Sequence, residues 1–300
     1  MSTPTIFHKW APWWTPKQAR CFLNDVEGVI KARYGKYRID ELQGTVTICD
    51  NDCVLGLSNL AQTCRRLDPN EWRLTIYSHM ARLDEFSPDL LTERLNNYEQ
   101  IRPDLRVRIV STQHLDHIDA VCTPLPLGLF ASLSLKLNDA CCPIDRSYMK
   151  RWRVSKSEVM AIGLTNTLME EPLMLQEKPS SDKGFYIFGG DSLFVSGHIL
   201  DFARNTAESS SWGAVIAVPA AHTIMVCPIS FNSTFIDASA SMLAASHLCY
   251  LTGPNSVSPN ALWWRPNQQL EPFARIDIQG FELLAPMALR KHLRQIPEAD

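Results

Sequence analysis

Apolar residues recur at helical spacing over some stretches of this chain and alternate with polar ones over others. In "TPKQARCFLNDVEGVIKARYG", Ala19, Phe22, Leu23, Val26, Val29 and Ile30 share one helical face. Thr15 can cap this helix, Pro16 suits its first position and Gly35 can end it. Two β-rich pieces follow, "KYRID" and "TVTICD", with a turn near Gly44. "SNLAQTCRRL" reads as a short helix capped by Ser58. "DPNEWRLTIYSHMARL" reads as another, in which Asp68 caps, Pro69 fills the first turn and Glu71 completes a capping box. A further helix is expected around residues 88–99, before the basic strand "RVRIV" (106–110).

The segment 111–128 is polar, then proline-rich, and marks the expected division into two modules, 1–120 and 121–300. Beyond it, "LFASLSLKL" alternates as a strand, and "SKSEVMAIGLTNTLME" opens a helix with a Ser155/Glu158 capping box. "FYIF" is a short strand. It stops at Gly189 and Gly190, after which Asp191 or Ser192 can cap a helix through Ile199, Leu200 and Ala203, with His198 near its polar edge. "WGAVIAVPAAHTIMVCPI" reads as a hairpin of nearly continuous apolar character, suited to the middle of a covered sheet. "STFIDASASMLAASHLCYLTG" is expected to be an amphipathic helix ended by Gly253, "ALWWRPNQQLEPF" a last hairpin and "PMALRKHLRQI" a C-terminal helix. Helices and hairpins with few βαβ crossovers give an α+β fold of antiparallel sheets covered by amphipathic helices.

The 300 residues are 45% hydrophobic and 20% charged, an ordinary globular balance, with a net charge of −3. No global positive field exists to gather nucleic acid, and the short basic runs at 64–66 and 150–153 read as solvated helix surface. The nine cysteines are an odd number, scattered and mostly within apolar runs, so a reducing cytosol without disulfides is expected. No membrane span, leader or cofactor motif is legible.

The second half resembles the YtpQ-like family of uncharacterised bacterial proteins, a domain of unknown function. The resemblance rests on the order of "IDRSYMKRWRVSKSEVMAIGLTNTL", "FYIFGGDSLFVSGHIL" and "WGAVIAVPAAHTIMV", then the Ser/Met-rich helix around 238–251 and a tryptophan-bearing strand. These features span about residues 129–273. "LGLSNLAQTCRRLDPNEW" is similar to a front half seen in such proteins. The chain differs from the family's usual pattern in Ala221-His222 after Ala-Val-Pro, in Lys136 where aspartate is common, and in the Asn-Thr-Leu after Thr165. The resemblance implies a fold and a family, with no activity attached.

Three features could carry chemistry or binding. Asp191, His198 and His222 are the candidate polar site of a hydrolase or nucleotide-handling enzyme, although "GGD" lacks the acidic residue that follows it in diguanylate cyclases. His114, His117 and Cys122 could supply metal ligands, but the His-x-x-His spacing is not that of the helical zinc motif, and no metal site is assigned. The third is aromatic. Trp13, Trp14, Trp263 and Trp264, with Arg265, form a candidate interaction surface, since adjacent strand residues point to opposite faces and one tryptophan of the second pair must leave the core. With no nucleophile or phosphate-loop motif, the expectation is a cytosolic interaction module, chaperone- or adaptor-like, with a protein partner or its own copy, and without nucleic acid or cofactor.

Overall fold

Helix α1 (Pro16–Arg33) starts where the sequence says it should: Gln18 N donates to Thr15 Oγ1, and the Gln18 side chain accepts from the Thr15 N–H in return. Its six stripe residues are all buried. This helix belongs to a computed structural model that describes residues 10–11, 13–49, 53–84, 88–115, 119–137, 140–177, 184–205, 212–230, 233–266, 269–277 and 280–293.

The chain forms two compact units, 1–93 and 94–300. In the first, α1 leads into an antiparallel sheet of β1 (Tyr37–Asp40), β2 (Thr45–Ile48) and β3 (Cys53–Gly56), followed by helices α2 (Ser58–Cys64) and α3 (Pro69–Asp84). Helix α2 has no side-chain cap; Leu57, not Ser58, precedes it. Trp10, Trp14, Phe22 and Trp72 meet in the core of this unit. Gly44, at φ +64°, lies against the Trp10 ring, where a Cβ would come within 2.2 Å. Helix α4 (Pro88–Asn96) crosses the division.

The second unit opens with α5 (Tyr98–Ile101), then a smaller sheet of β4 (Leu105–Ser111), β5 (Cys122–Leu125), β6 (Leu129–Lys136) and β7 (Cys141–Pro143). Here the division expected near residue 120 is corrected. The basic strand β4 does not close the first half; it pairs with β6 over its whole length, from Leu105 opposite Leu135 to Ser111 opposite Leu129. Helices α6 (Ser147–Trp152) and α7 (Lys156–Glu170) follow, the latter capped by Ser155 Oγ accepting from Glu158 N at 3.2 Å.

A larger antiparallel sheet contains β8 (Met174–Glu177), β9 (Tyr186–Gly189), β10 (Ala214–Ala220), β11 (Thr223–Pro228), β12 (Ala261–Trp264), β13 (Leu270–Asp277) and β14 (Gly280–Leu283), in the order β14-β13-β12-β10-β11-β9-β8. The apolar hairpin β10–β11 lies at its centre with every β10 residue buried, as its unbroken hydrophobicity requires. Helix α8 (Ser233–Thr252) covers one face through Phe235, Ala238, Met242 and Leu243, and α9 (Met287–Leu293) adds Leu289 to the same core. The arrangement is α+β with open antiparallel sheets.

The α-helix expected after Gly190 is instead a 3-10 segment, Val195–Asn205, broken at Asp201 (φ −141°, ψ 54°). It packs against β4, α7, β10 and β11. Crowding accounts for the tighter winding: a Cβ on Gly197 would stand 2.3 Å from Val107 O. Ser192, not Asp191, provides the local cap, accepting from Phe194 N at 3.1 Å.

Candidate functional site

Strand β4 ends the smaller sheet, so its outward N–H groups need partners other than a strand. Thr167 Oγ1 on α7 accepts from Val107 N at 2.9 Å, and Ser196 Oγ accepts from Ile109 N at 3.0 Å. These buried hydroxyls take the place of a neighbouring strand and bring the 3-10 segment against β4.

An ion cluster lies at the same junction. Arg106 on β4 and Glu171 just after α7 have side chains only 2% exposed, and Arg106 Nε donates to Glu171 Oε1 at 2.9 Å. Lys136 Nζ, at the end of β6, reaches the same oxygen at 2.6 Å, and Arg106 also pairs with Glu170. Ser192 adds a hydrogen bond to the Glu171 carboxylate. Burial pushes the Glu171 carboxyl up, but the hydrogen bonds from Lys136, Ser192 and Arg106 together outweigh it, so the group sits below the usual carboxylate range.

His198 is buried, not on a polar edge, and its Nε2 lies 2.7 Å from the Glu171 carbonyl oxygen. A carbonyl only accepts, so Nε2 carries the proton in this bond. Burial lowers the His198 pKa despite the raising influence of Glu171, favouring the neutral ring. The main chain brings the Asp191 turn beside His222: Gly190 N donates to His222 O at 3.3 Å, and Ser196 N to Ala221 O at 2.9 Å. Asp191 is exposed and His222 half-buried in the β10–β11 turn. The group that gathers the buried polar atoms is thus Glu171, which the sequence reading missed. Its partners Arg106 and Lys136 are 65 and 35 residues away along the chain, beyond any local pattern.

The aromatic surface expected from the tryptophans is corrected. Trp14 and Trp13 pack into the first unit's core, with Arg65 over the Trp13 ring at 5.7 Å. Trp263 and Trp264 do point to opposite faces of β12, yet both are buried. Trp263 joins the core under α8 and donates from Nε1 to Trp212 O at 2.8 Å. Trp264 meets Phe202 of the 3-10 segment edge-on at 6.2 Å, so that segment covers the second face. Arg265 lies over Trp263 and pairs with Glu271 at 2.7 Å.

An exposed apolar stripe lies on α8. The helix was expected to be amphipathic, but its outer face is nearly uncharged. Ile236, Leu248 and Leu251 are 49%, 62% and 44% exposed. Ala240 and Ala244 are exposed between them, and Asp237 is the one charged residue of the helix. Spacing of four, four, four and three residues puts the five apolar positions on one stripe.

His114 Nδ1 is 3.1 Å from Ser111 Oγ, and His117 lies outside the described residues. Among the described residues no group of three or more His, Cys, Asp or Glu side chains could hold a metal ion, and no helix is long and apolar enough to cross a membrane. No family model, curated protein or solved structure matches the chain.

Proposed function

We propose that this chain is a non-enzymatic interaction module of the cytosol, adaptor- or chaperone-like, that docks through the outer face of α8. The observation that carries the reading is the exposed, nearly uncharged stripe Ile236, Ala240, Ala244, Leu248 and Leu251. The occupant we assign to it is a second copy of this chain. An antiparallel two-fold centred on Ala244 sets Leu248 over Ala240 of the second copy, large side chain against small, and Ile236 beside its Leu251. Because α8 has 20 residues, it is about 30 Å long. A stripe about 10 Å wide then offers roughly 300 Å² per copy, well below the ~800 Å² of a standard stable interface, so the association is weak and concentration-dependent. Kinship with the YtpQ-like family belongs to the same proposal and rests on motif order alone.

The alternative, a hydrolase or nucleotide-handling enzyme built on Asp191, His198 and His222, has less support. His198 is buried with Nε2 bonded to a main-chain carbonyl, and Asp191 is exposed. Sedimentation velocity over a concentration series tests the preferred reading. The parent chain is expected to pass from monomer to dimer in the micromolar range, and Ala244→Glu to stay monomeric with unchanged thermal stability. A parent chain that is monomeric at every concentration, or an Ala244→Glu chain that dimerises equally well, overturns it.

A further inference from the structure

The antiparallel bridge between Ala120 and Asp145, with Val121 N donating to Ile144 O, draws the chain before β5 under the start of α6. Between this point and the first turn of α7 lies a cleft of about 570 Å³. Among the described residues, Arg146, Lys150, Arg153 and Lys156 line it, and no acidic side chain does. Its apolar lining comes from Val121, Met149 and Val154. We propose that this cleft binds a small organic phosphate, its anionic head among the four cations and its uncharged body against the three apolar side chains.

The cations are available for such a ligand. Among the described residues, Lys150, Arg153 and Lys156 have no ion pair. Arg146 has one, an exposed contact with Asp119 at 3.3 Å, and also donates to Ala120 O at 3.2 Å. Asp145, the acid next in sequence, is engaged by Ser147, whose N–H it accepts at 2.8 Å. A multiply charged anion in the cleft would meet four cationic side chains on its lining. The chain's net charge is −3, so this excess is local and not the overflow of a basic protein. Arg153 ends α6 in the left-handed conformation (φ 57°, ψ 37°), which glycine adopts without strain.

Ligand class follows from the donor set. Two guanidinium forks suit the oxygens of a phosphate, and two ammonium groups add point charge, more than a single carboxylate would balance. The site is one cleft with an apolar side. A nucleic acid would call for an extended basic stripe, which fits neither this geometry nor the overall charge.

Isothermal titration of the full chain with adenosine diphosphate as probe tests the proposal, alongside pyrophosphate, adenosine, citrate and a single-stranded oligonucleotide. Adenosine diphosphate is expected to bind one to one, more tightly than pyrophosphate or citrate, and adenosine not at all. Raising the salt from about 50 mM to about 300 mM should weaken binding, as screening requires. Lys150→Gln with Lys156→Gln should weaken it at least tenfold, with melting temperature unchanged. Arg153→Gly, which accepts the left-handed backbone, is a second variant expected to weaken it. No heat with adenosine diphosphate or pyrophosphate at millimolar concentration overturns the proposal, as does undiminished affinity in both variants. Citrate binding as tightly as adenosine diphosphate overturns the ligand class, and an oligonucleotide binding tenfold more tightly than either assigns the cleft to a macromolecule. None of these outcomes depends on α8 or on dimerisation.

Discussion

Glu171→Gln removes the one carboxylate that Arg106, Lys136 and Ser192 share, leaving their geometry otherwise unchanged. Arg106 is nearly fully buried and would keep only Glu170 as an ionic partner; Lys136, 37% exposed, could turn to water. Breaking a buried pair from one side costs about 3–5 kcal/mol, and the freedom of Lys136 points to the lower end, about 3 kcal/mol. At about 2–4 °C per kcal/mol for a unit of this size, the melting transition of the second unit should fall by about 6–12 °C. Scanning calorimetry reads this directly. Lys136→Met should cost less, about 1 kcal/mol, because the buried Arg106–Glu171 pair survives it. Replacing Arg106 by methionine in the Glu171→Gln background should recover much of the loss, since no buried charge then lacks its partner. A fall below about 2 °C for Glu171→Gln would refute the reasoning, showing that water screens the cluster as it would a surface pair.

Acid should act on this junction in two steps. His198 has a folded pKa below its ordinary 6.5, so the unfolded chain takes up its proton first and stability falls as pH drops below that value. Glu171 has a folded pKa below its ordinary 4.5, so its contribution holds above 4.5 and is lost as pH falls from there through the folded value. Melting temperature against pH should therefore decline below about 6.5 and steepen below about 4.5, with Glu171→Gln reducing the steeper part, to which Asp145 also contributes. Gly197→Ala should destabilise the second unit by about 1–3 kcal/mol in urea unfolding, because the new methyl meets the β4 carbonyl. Thr167→Val leaves the Val107 N–H without its acceptor and should cost about 1–3 kcal/mol, with faster hydrogen exchange at Val107 as the readout. Trp264→Ala should cost about 3–5 kcal/mol in stability while leaving the monomer–dimer equilibrium of the folded chain unchanged, contrary to an interface role for this residue.

What the sequence disclosed and what it concealed divide by distance along the chain. The Thr15 and Ser155 caps, the α1 stripe and the β10–β11 hairpin are written in neighbouring residues, and all were legible. The division of the chain was not, because a proline-rich polar segment looks like a linker whether or not the strands on either side pair, and β4 with β6 do. Alternation along β12 sets Trp263 and Trp264 on opposite faces, but only the tertiary structure supplies the 3-10 segment that covers the second.

The α8 stripe differs in kind, because its signal was local. From Ile236 to Leu251 the exposed positions hold two alanines, three large aliphatic residues, Ser241 and the helix's single charge, Asp237. Its apolar positions alone suggest an amphipathic helix; the scarcity of charge among the remainder does not. A solvent-facing helix surface ordinarily carries charges, and their scarcity is what separates α8 from α7, whose exposed positions include Lys156, Glu158 and Glu170. The run at 150–153 gives the converse lesson. Placing it on solvated helix surface was sound, yet surface is where a ligand arrives. It took the Ala120–Asp145 bridge to set Val121 beside those cations and turn a charged face into a cleft. Spacing along the chain assigns side chains to a face of one element. Whether that face is core, docking surface or binding cleft depends on what distant segments bring opposite it.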